Sequence, residues 1–295
     1  MSRSFRFVTL DVFTSNRFGG NQLAVFPNAL GLTDAEMQSL ASELNLSETT
    51  FVLPPTDSAN TARVRIFHRT AEMPFAGHPN VGTGYVLADW ARHGLLKFEE
   101  IAGLVQVRVD RDAYGELLGT TISAPQPLAV GPELPVELAA ACAGIAPEGI
   151  ITTRHAPVLA SDGGNPRLIF EVTPEAMTFA TPDLAAFRHA VASTPALGGK
   201  LSLYLYRPEG EGLRTRMFSP LAGTWEDAAT GSAATPLAGL LLSLSSEESG
   251  AWDITQGVEM GRPSLLRTTA RRTPAGIYAT VGGSCVPVFE GVVRL

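Results

Sequence analysis

The chain has little of what several protein classes depend on. Its two cysteines, Cys142 and Cys285, lie far apart with no CxxC and no histidine cluster beside them, so a metal site built on them is not expected. Cys142 falls in the apolar run Leu138 to Ala143 and reads as a small buried residue. Charged residues make up only 17%, and the net charge of −7 comes without any run of Lys or Arg. The basic patch that nucleic-acid binding needs is therefore missing. No apolar stretch reaches about 18 residues, the length of a membrane span, and the N-terminus lacks the apolar core of about 7–15 residues that marks a secretory leader. The expected setting is the cytoplasm, with neither membrane nor nucleic acid as partner.

What is present points to duplication. With 295 residues, 45% of them hydrophobic, the chain can bury two cores. The run Arg63-Val64-Arg65-Ile66-Phe67 returns as Arg214-Thr215-Arg216-Met217-Phe218, 151 residues later. Each copy alternates like a strand and leads through a glycine-containing turn into an apolar helix. Around the first copy the pattern predicts a helix over about 34–44 behind the capping box Thr33–Glu36, and strands at about 49–53 and 62–68. A helix from Pro79 to His93, ended by Gly94, follows, with strands near 104–110 and 116–123. Around the second copy it predicts a helix over 182–192 capped by Thr181, strands at 201–206 and 213–218, and a helix over 231–244. Pro125-Gln126-Pro127 marks an extended crossing between the halves. The fold class expected is α+β, with two pseudo-symmetric domains, each a rolled, mostly antiparallel sheet around a central helix. Residues 1–124, completed by about 281–295, form one domain and 125–280 the other. Gly82 to Ala91 and Ala233 to Leu244, nearly free of charge, are the expected enclosed helices.

The two copies differ in their polar groups. The first carries Glu48 and His78, the second Asp227 and Ser232. The turns Ala76 to Gly82 and Thr230 to Ala234 put small residues at helix starts, where open backbone amides and the positive dipole end can hold an anion. Glycine there also lets a helix pack tightly, but the pairing at matching positions favours two helix ends that face one interdomain cleft and grip a carboxylate. Glu48, at the mouth of an apolar strand, is either a partly desolvated general acid/base or a strand-edge carboxylate. His78 is a proton carrier or a cap, and Asp227 and Ser232 could each be a cap. Applying the offset of 151 pairs Gly77 with Ala228 and Glu48 with Gly199, so no second base and no thiol occupies a matching position. A two-cysteine racemase mechanism is thereby excluded.

Six stretches in order, Asp11-Val12-Phe13, Gly20 to Phe26, Leu46 to Phe51, Gly77 to Gly82, Glu226 to Ala233 and Gln256 to Ser264, resemble the PhzF-type phenazine-biosynthesis family. The resemblance implies the diaminopimelate epimerase fold, a homodimer, no metal and no cofactor. Glu48 matches the family's acid/base. His78, Asp227 and Ser232 match groups that position substrate and support proton transfer, and Gly77, Thr230 and Gly231 fall where the backbone faces it. The implied reaction is a cofactor-free isomerisation like that of a dihydro-hydroxyanthranilate, in which a carboxyl group moves a proton between two ring carbons. Ala228 and Gln22 stand where the family usually has proline, which bears on substrate shape more than on chemistry. A one-base epimerase or lyase on an amino-acid-like substrate, and a non-catalytic small-acid binding protein, remain open at this point.

Overall fold

A computed structural model of the chain describes residues 3–295. It divides into two compact units, one running to Ser123 and completed by Val281–Leu295, the other Ala124–Thr280. The first unit opens with β1 (Ser4–Val12), β2 (Asn21–Phe26), α1 (Asp34–Leu44), β3 (Glu48–Leu53), β4 (Ala62–His68) and β5 (Glu72–Met73). It continues with α2 (Gly77–Val86), β6 (Leu95–Glu100), β7 (Gly103–Arg111) and β8 (Leu117–Ser123). The second unit contains β9 (Ala129–Glu133), α3 (Val136–Ala143), β10 (Ile150–Ile151), β11 (Val158–Ser161), β12 (Arg167–Val172), α4 (Pro174–Phe179) and α5 (Leu184–Ser193). It goes on through β13 (Leu203–Glu209), β14 (Gly212–Ser219), β15 (Thr224–Asp227), α6 (Gly231–Ser243), β16 (Ser249–Gln256), β17 (Ser264–Thr273) and β18 (Gly276–Gly283). The last strand, β19 (Cys285–Arg294), returns to the first unit.

In the first unit β1 lies antiparallel between β19 and β2, β2 runs parallel to β3, and β3 pairs antiparallel with β4. The sheet continues from β4 in parallel to β6 and then by antiparallel hairpins through β7 to β8. β8 meets the end of β18, which runs on into β19 and closes the roll. Closure is tight: a Cβ on Gly119 would lie 2.2 Å from the Gly283 carbonyl oxygen. Enclosed by these strands is α2, with the sequence GHPNVGTGYV. Its glycines and β-branched residues are poor helix formers, so packing rather than propensity holds it. A Cβ on Gly82 would sit 2.4 Å from Leu23, which shows how closely the helix lies on β2. Its buried hydroxyl neighbours are paired, Thr83 with Thr50 at 2.8 Å and Thr120 with the Val81 carbonyl at 2.7 Å. α1 lies outside, burying Met37, Leu40 and Ala41 against the Phe26–Phe51–Phe67 cluster.

α2 is shorter than the sequence predicts. It ends at Val86, a 3-10 turn covers Ala88–Trp90, and Trp90 is 52% exposed. The chain has left the roll by then, so the expected buried span stops short of Ala91. His93 and Gly94 both have positive φ, 54° and 75°, between the bridged residues Arg92 and Leu95. They form a two-residue hairpin turn into β6 rather than a helix terminus.

The second unit repeats the plan. β9, β11 and β12 pair antiparallel, β12 runs parallel to β13, β13 pairs antiparallel with β14, β14 runs parallel to β16, and β16 pairs antiparallel with β17. The segment 124–128 lies along β18, with Ala124 N–H on the Ala279 carbonyl at 2.8 Å and Leu128 N–H on that of Ile277 at 2.7 Å. The paired prolines thus sit in an extended stretch that closes this roll around α6. α6 is buried from Ala233 to Leu242 and emerges at Leu244, which is 49% exposed. α3 and α5 pack outside it on the Phe170–Phe187–Phe218 core. The cap of α5 is Asp183, not Thr181: its Oδ1 accepts from the amides of Ala185 and Ala186 at 2.8 and 3.0 Å. A carboxylate reaches two amides at once, whereas the Thr181 hydroxyl faces the Phe179 carbonyl.

The duplicated Arg-x-Arg-x-Phe run has a structural purpose. Arg65 lies over the Phe67 ring at 5.1 Å and grips Glu72 of β5 through Nε and Nη2, both at 2.6 Å. Arg216 lies over Phe218 at 4.9 Å and grips Glu226 of β15 through the same two nitrogens, both at 2.8 Å. In each unit the motif braces the short strand that leads into the enclosed helix.

Candidate active site

In the first unit Glu48 opens β3, held between Leu23 of β2 and His68 of β4. Its side chain is 14% exposed and that of His78, on the first turn of α2, 6% exposed; Glu48 Oε2 and His78 Nε2 lie 3.3 Å apart. α2 begins at Gly77 behind Ala76, which has no side-chain oxygen to cap it, so the positive end of the helix is unmasked. Burial pushes the His78 ring down to about 4, and a hydrogen bond with the Gln22 backbone recovers only part of that. The imidazole is therefore neutral near pH 7. Among the described residues Nε2 of that neutral ring makes no hydrogen bond, so its lone pair is open to a proton from a carboxyl aligned with it, where an imidazolium would form an ion pair.

In the second unit β15 ends at Asp227 and α6 begins at Gly231. Thr230, the N-cap, makes no side-chain bond into the helix; its Oγ1 donates to Asp227 Oδ2 at 2.6 Å. Gln256, fully buried at the end of β16, organises this turn. Its Nε2 donates to the Asp227 carbonyl at 2.8 Å and to Thr230 Oγ1 at 3.0 Å, and its Oε1 accepts from the Thr230 amide at 3.2 Å. The Tyr204 hydroxyl donates to the same Oε1 at 3.1 Å. Ser232 Oγ accepts from Arg167 Nη2 at 3.3 Å. Glu226, beside Asp227, belongs to the Arg216 brace, which accounts for the adjacent acids.

The expected site residues thus fall into two sets, Glu48, Gly77 and His78 in the first unit and Asp227, Thr230, Gly231 and Ser232 in the second. The structure brings each set together within its unit. Sequence reasoning missed Arg167 and Tyr204 and did not single out Gln256. The available signals were a lone arginine leading the apolar run Leu168-Ile169-Phe170 and a glutamine just before the Gly257 turn. The thiols of Cys142 and Cys285 are both buried, and desolvation raises each to about 12. Among the described residues no group of three or more His, Cys, Asp or Glu side chains is arranged to hold a metal ion, and no helix is long and apolar enough to cross a membrane.

Residues 10–291 match the family model described as phenazine biosynthesis-like protein. The trans-2,3-dihydro-3-hydroxyanthranilate isomerase of Pseudomonas chlororaphis is 36% identical over 293 residues, covering 98% of this chain and 99% of that protein. A Bacillus anthracis phenazine biosynthesis protein of the PhzF family superposes with a TM-score of 0.85 at 22% identity, over 99% of this chain and 100% of that one. A hydroxyproline epimerase from Agrobacterium vitis shares the fold at a TM-score of 0.62 and 14% identity, over 99% of this chain and 93% of that one. With its two rolled sheets, its enclosed helices and this match along nearly its whole length, the chain belongs to the PhzC–PhzF family, has the diaminopimelate epimerase-like fold and is an isomerase.

Proposed function

We propose that this isomerase moves a proton on a small carboxylate-bearing substrate without a cofactor, with Glu48 as the general acid/base. The observation that carries the reading is the shielded Glu48–His78 contact at 3.3 Å, with the imidazole held neutral. Ionised Glu48 takes a proton from a carbon next to a carbonyl, carboxylate or extended π system, and the C–H electron pair moves into that system. The protonated carboxyl then delivers the proton to another carbon on the same face, so the double bond shifts and nothing is gained or lost. His78 orients the carboxyl and exchanges a proton with it. In the second unit Asp227 and Ser232 are suited to orient a substrate, and the open amides at each helix start, Gly77 in one unit and Thr230 and Gly231 in the other, are suited to an anionic group. The buried thiols, raised as they are, stay protonated near neutral pH and offer no thiolate to act as base, which supports a carboxyl rather than a cysteine mechanism. The 36% identical relative supports a dihydro-hydroxyanthranilate as the first substrate to try.

The test is to incubate the protein with trans-2,3-dihydro-3-hydroxyanthranilate in D₂O and follow deuterium incorporation by NMR. Glu48→Gln is expected to lower the exchange rate by roughly 10²–10⁴-fold while changing affinity only a few fold, because it keeps the shape and removes the base. His78→Ala is expected to weaken both binding and turnover. Turnover by Glu48→Gln within a few fold of the parent would end the single-base reading.

A further inference from the structure

Arg167 opens β12 directly behind the loop Asp162-Gly163-Gly164-Asn165-Pro166, and its side chain lies inside the second unit, 9% exposed. A guanidinium has five N–H donors. Among the described residues this one makes a single long hydrogen bond, Nη2 to Ser232 Oγ at 3.3 Å, and its Nε–H is buried with no partner. The carboxylates of Asp227 and Asp162 act on it through their charge, yet it closes no ion pair on either.

The other buried arginine of the same unit shows what a structural role looks like. Arg216, 6% exposed, sets Nε and Nη2 on the two oxygens of Glu226 and gives Nη1 to the carbonyls of Met177 and Ala180 at 3.0 and 2.8 Å. Arg216 is satisfied by the protein; Arg167, buried almost as deeply, is not. Its one bond also directs Ser232: the hydroxyl oxygen accepts from the guanidinium, so its own proton is left to donate. Ser232 stands on the first turn of α6, a helix with no side-chain cap and its positive end at this point.

We propose that Arg167, the Ser232 hydroxyl and the opening amides of α6 form a carboxylate site within the second unit, and that Arg167 makes this enzyme select acids over their uncharged amides. A planar carboxylate suits this set, since one group can accept from a guanidinium fork, a hydroxyl and helix amides together. The inference rests on the reading above that the substrate bears a carboxylate, and it names the residue that recognises it.

The test uses calorimetric titration of the full-length protein with 3-hydroxyanthranilate, 3-hydroxyanthranilamide and benzoate. Wild type is expected to bind the aromatic acid at least about tenfold more tightly than its amide. Arg167→Gln is expected to lose that preference by weakening the acid about tenfold or more while leaving the amide within about twofold; Arg167→Lys restores part of it. Equal wild-type affinity for acid and amide, or no saturable binding of either acid, overturns the site without reference to any variant. So does an Arg167→Gln protein that binds the acid as wild type does. Arg167-dependent acid binding without isomerisation would leave the site standing and sink the isomerisation reading. Turnover that survives Arg167→Gln with unchanged KM would do the reverse.

Discussion

Glu100 ends β6 with both carboxylate oxygens buried and neither in hydrogen-bonding geometry, beside Asn80 on the first turn of α2. Burial pushes it up to about 8, and the Asn80 side chain eases that only in part. The raised value has a definite sign: between the unfolded value near 4.5 and about 8 the folded protein holds the extra proton, so the stability this group lends is lost as pH rises through that window. Relative to Glu100→Gln, the wild type should therefore lose up to a few kcal/mol from pH 5 to pH 9, measured as the pH dependence of urea midpoints for both proteins. A parallel pH dependence of the two would show that Glu100 does not titrate in this way. His78 has the opposite sign, since its lowered value makes acid, not base, destabilising. Glu48 and His78 could be found in the sequence because each sits where a strand or a helix begins. Arg167 stood out only as a lone arginine before an apolar run, and Glu100 not at all, because their interest lies in buried polar atoms without partners, which appear only once the chain is folded.

The Arg-x-Arg-x-Phe strands revealed the duplication while having no part in the candidate chemistry. The second arginine of each run ties β4 to β5 or β14 to β15, and so fixes the approach to α2 or α6. The braces are unequally shielded, with Arg65 and Glu72 at 18% and 23% exposure against 7% and 12% for Arg216 and Glu226. Arg216→Met, which strands a buried carboxylate, should destabilise by about 3–5 kcal/mol. Arg65→Met should cost clearly less, and thermal unfolding of the two variants would order them. Equal losses would mean that burial does not set the strength of the brace. Helix ends were less legible than helix existence. Gly94 looked like a terminator but works with His93 in a hairpin, and Thr181 looked like a cap although Asp183 two residues on reaches the amides. Either residue type suits either position, and only the path of the chain decides between them.

Two rolls, each wrapped around a poor helix former or a glycine-led apolar helix, could be read from the order of elements and the return of the Arg-x-Arg-x-Phe run 151 residues on. β6 and the strands from β9 to β12 could not, because they alternate weakly and are placed by pairings across the fold, β6 on β4 and β12 on β13. The closing seams also escaped the sequence, since Gly119 and Gly283, or residues 124–128 and β18, are apposed only by the fold. Each unit closes by itself, but they differ in continuity: the second is one uninterrupted segment, Ala124–Thr280, while the first needs Val281–Leu295. A fragment of residues 124–280 should fold alone with cooperative unfolding. Residues 1–123 should not do so until a peptide of residues 281–295 is supplied, as circular dichroism of the pieces and their mixture would show. Cooperative folding of 1–123 without the peptide would count against this. During synthesis the middle of the chain can then fold while the earlier part waits on the ribosome for a strand not yet made. The half that carries Glu48 therefore closes after the other, and a chain released before β19 is made leaves that half open.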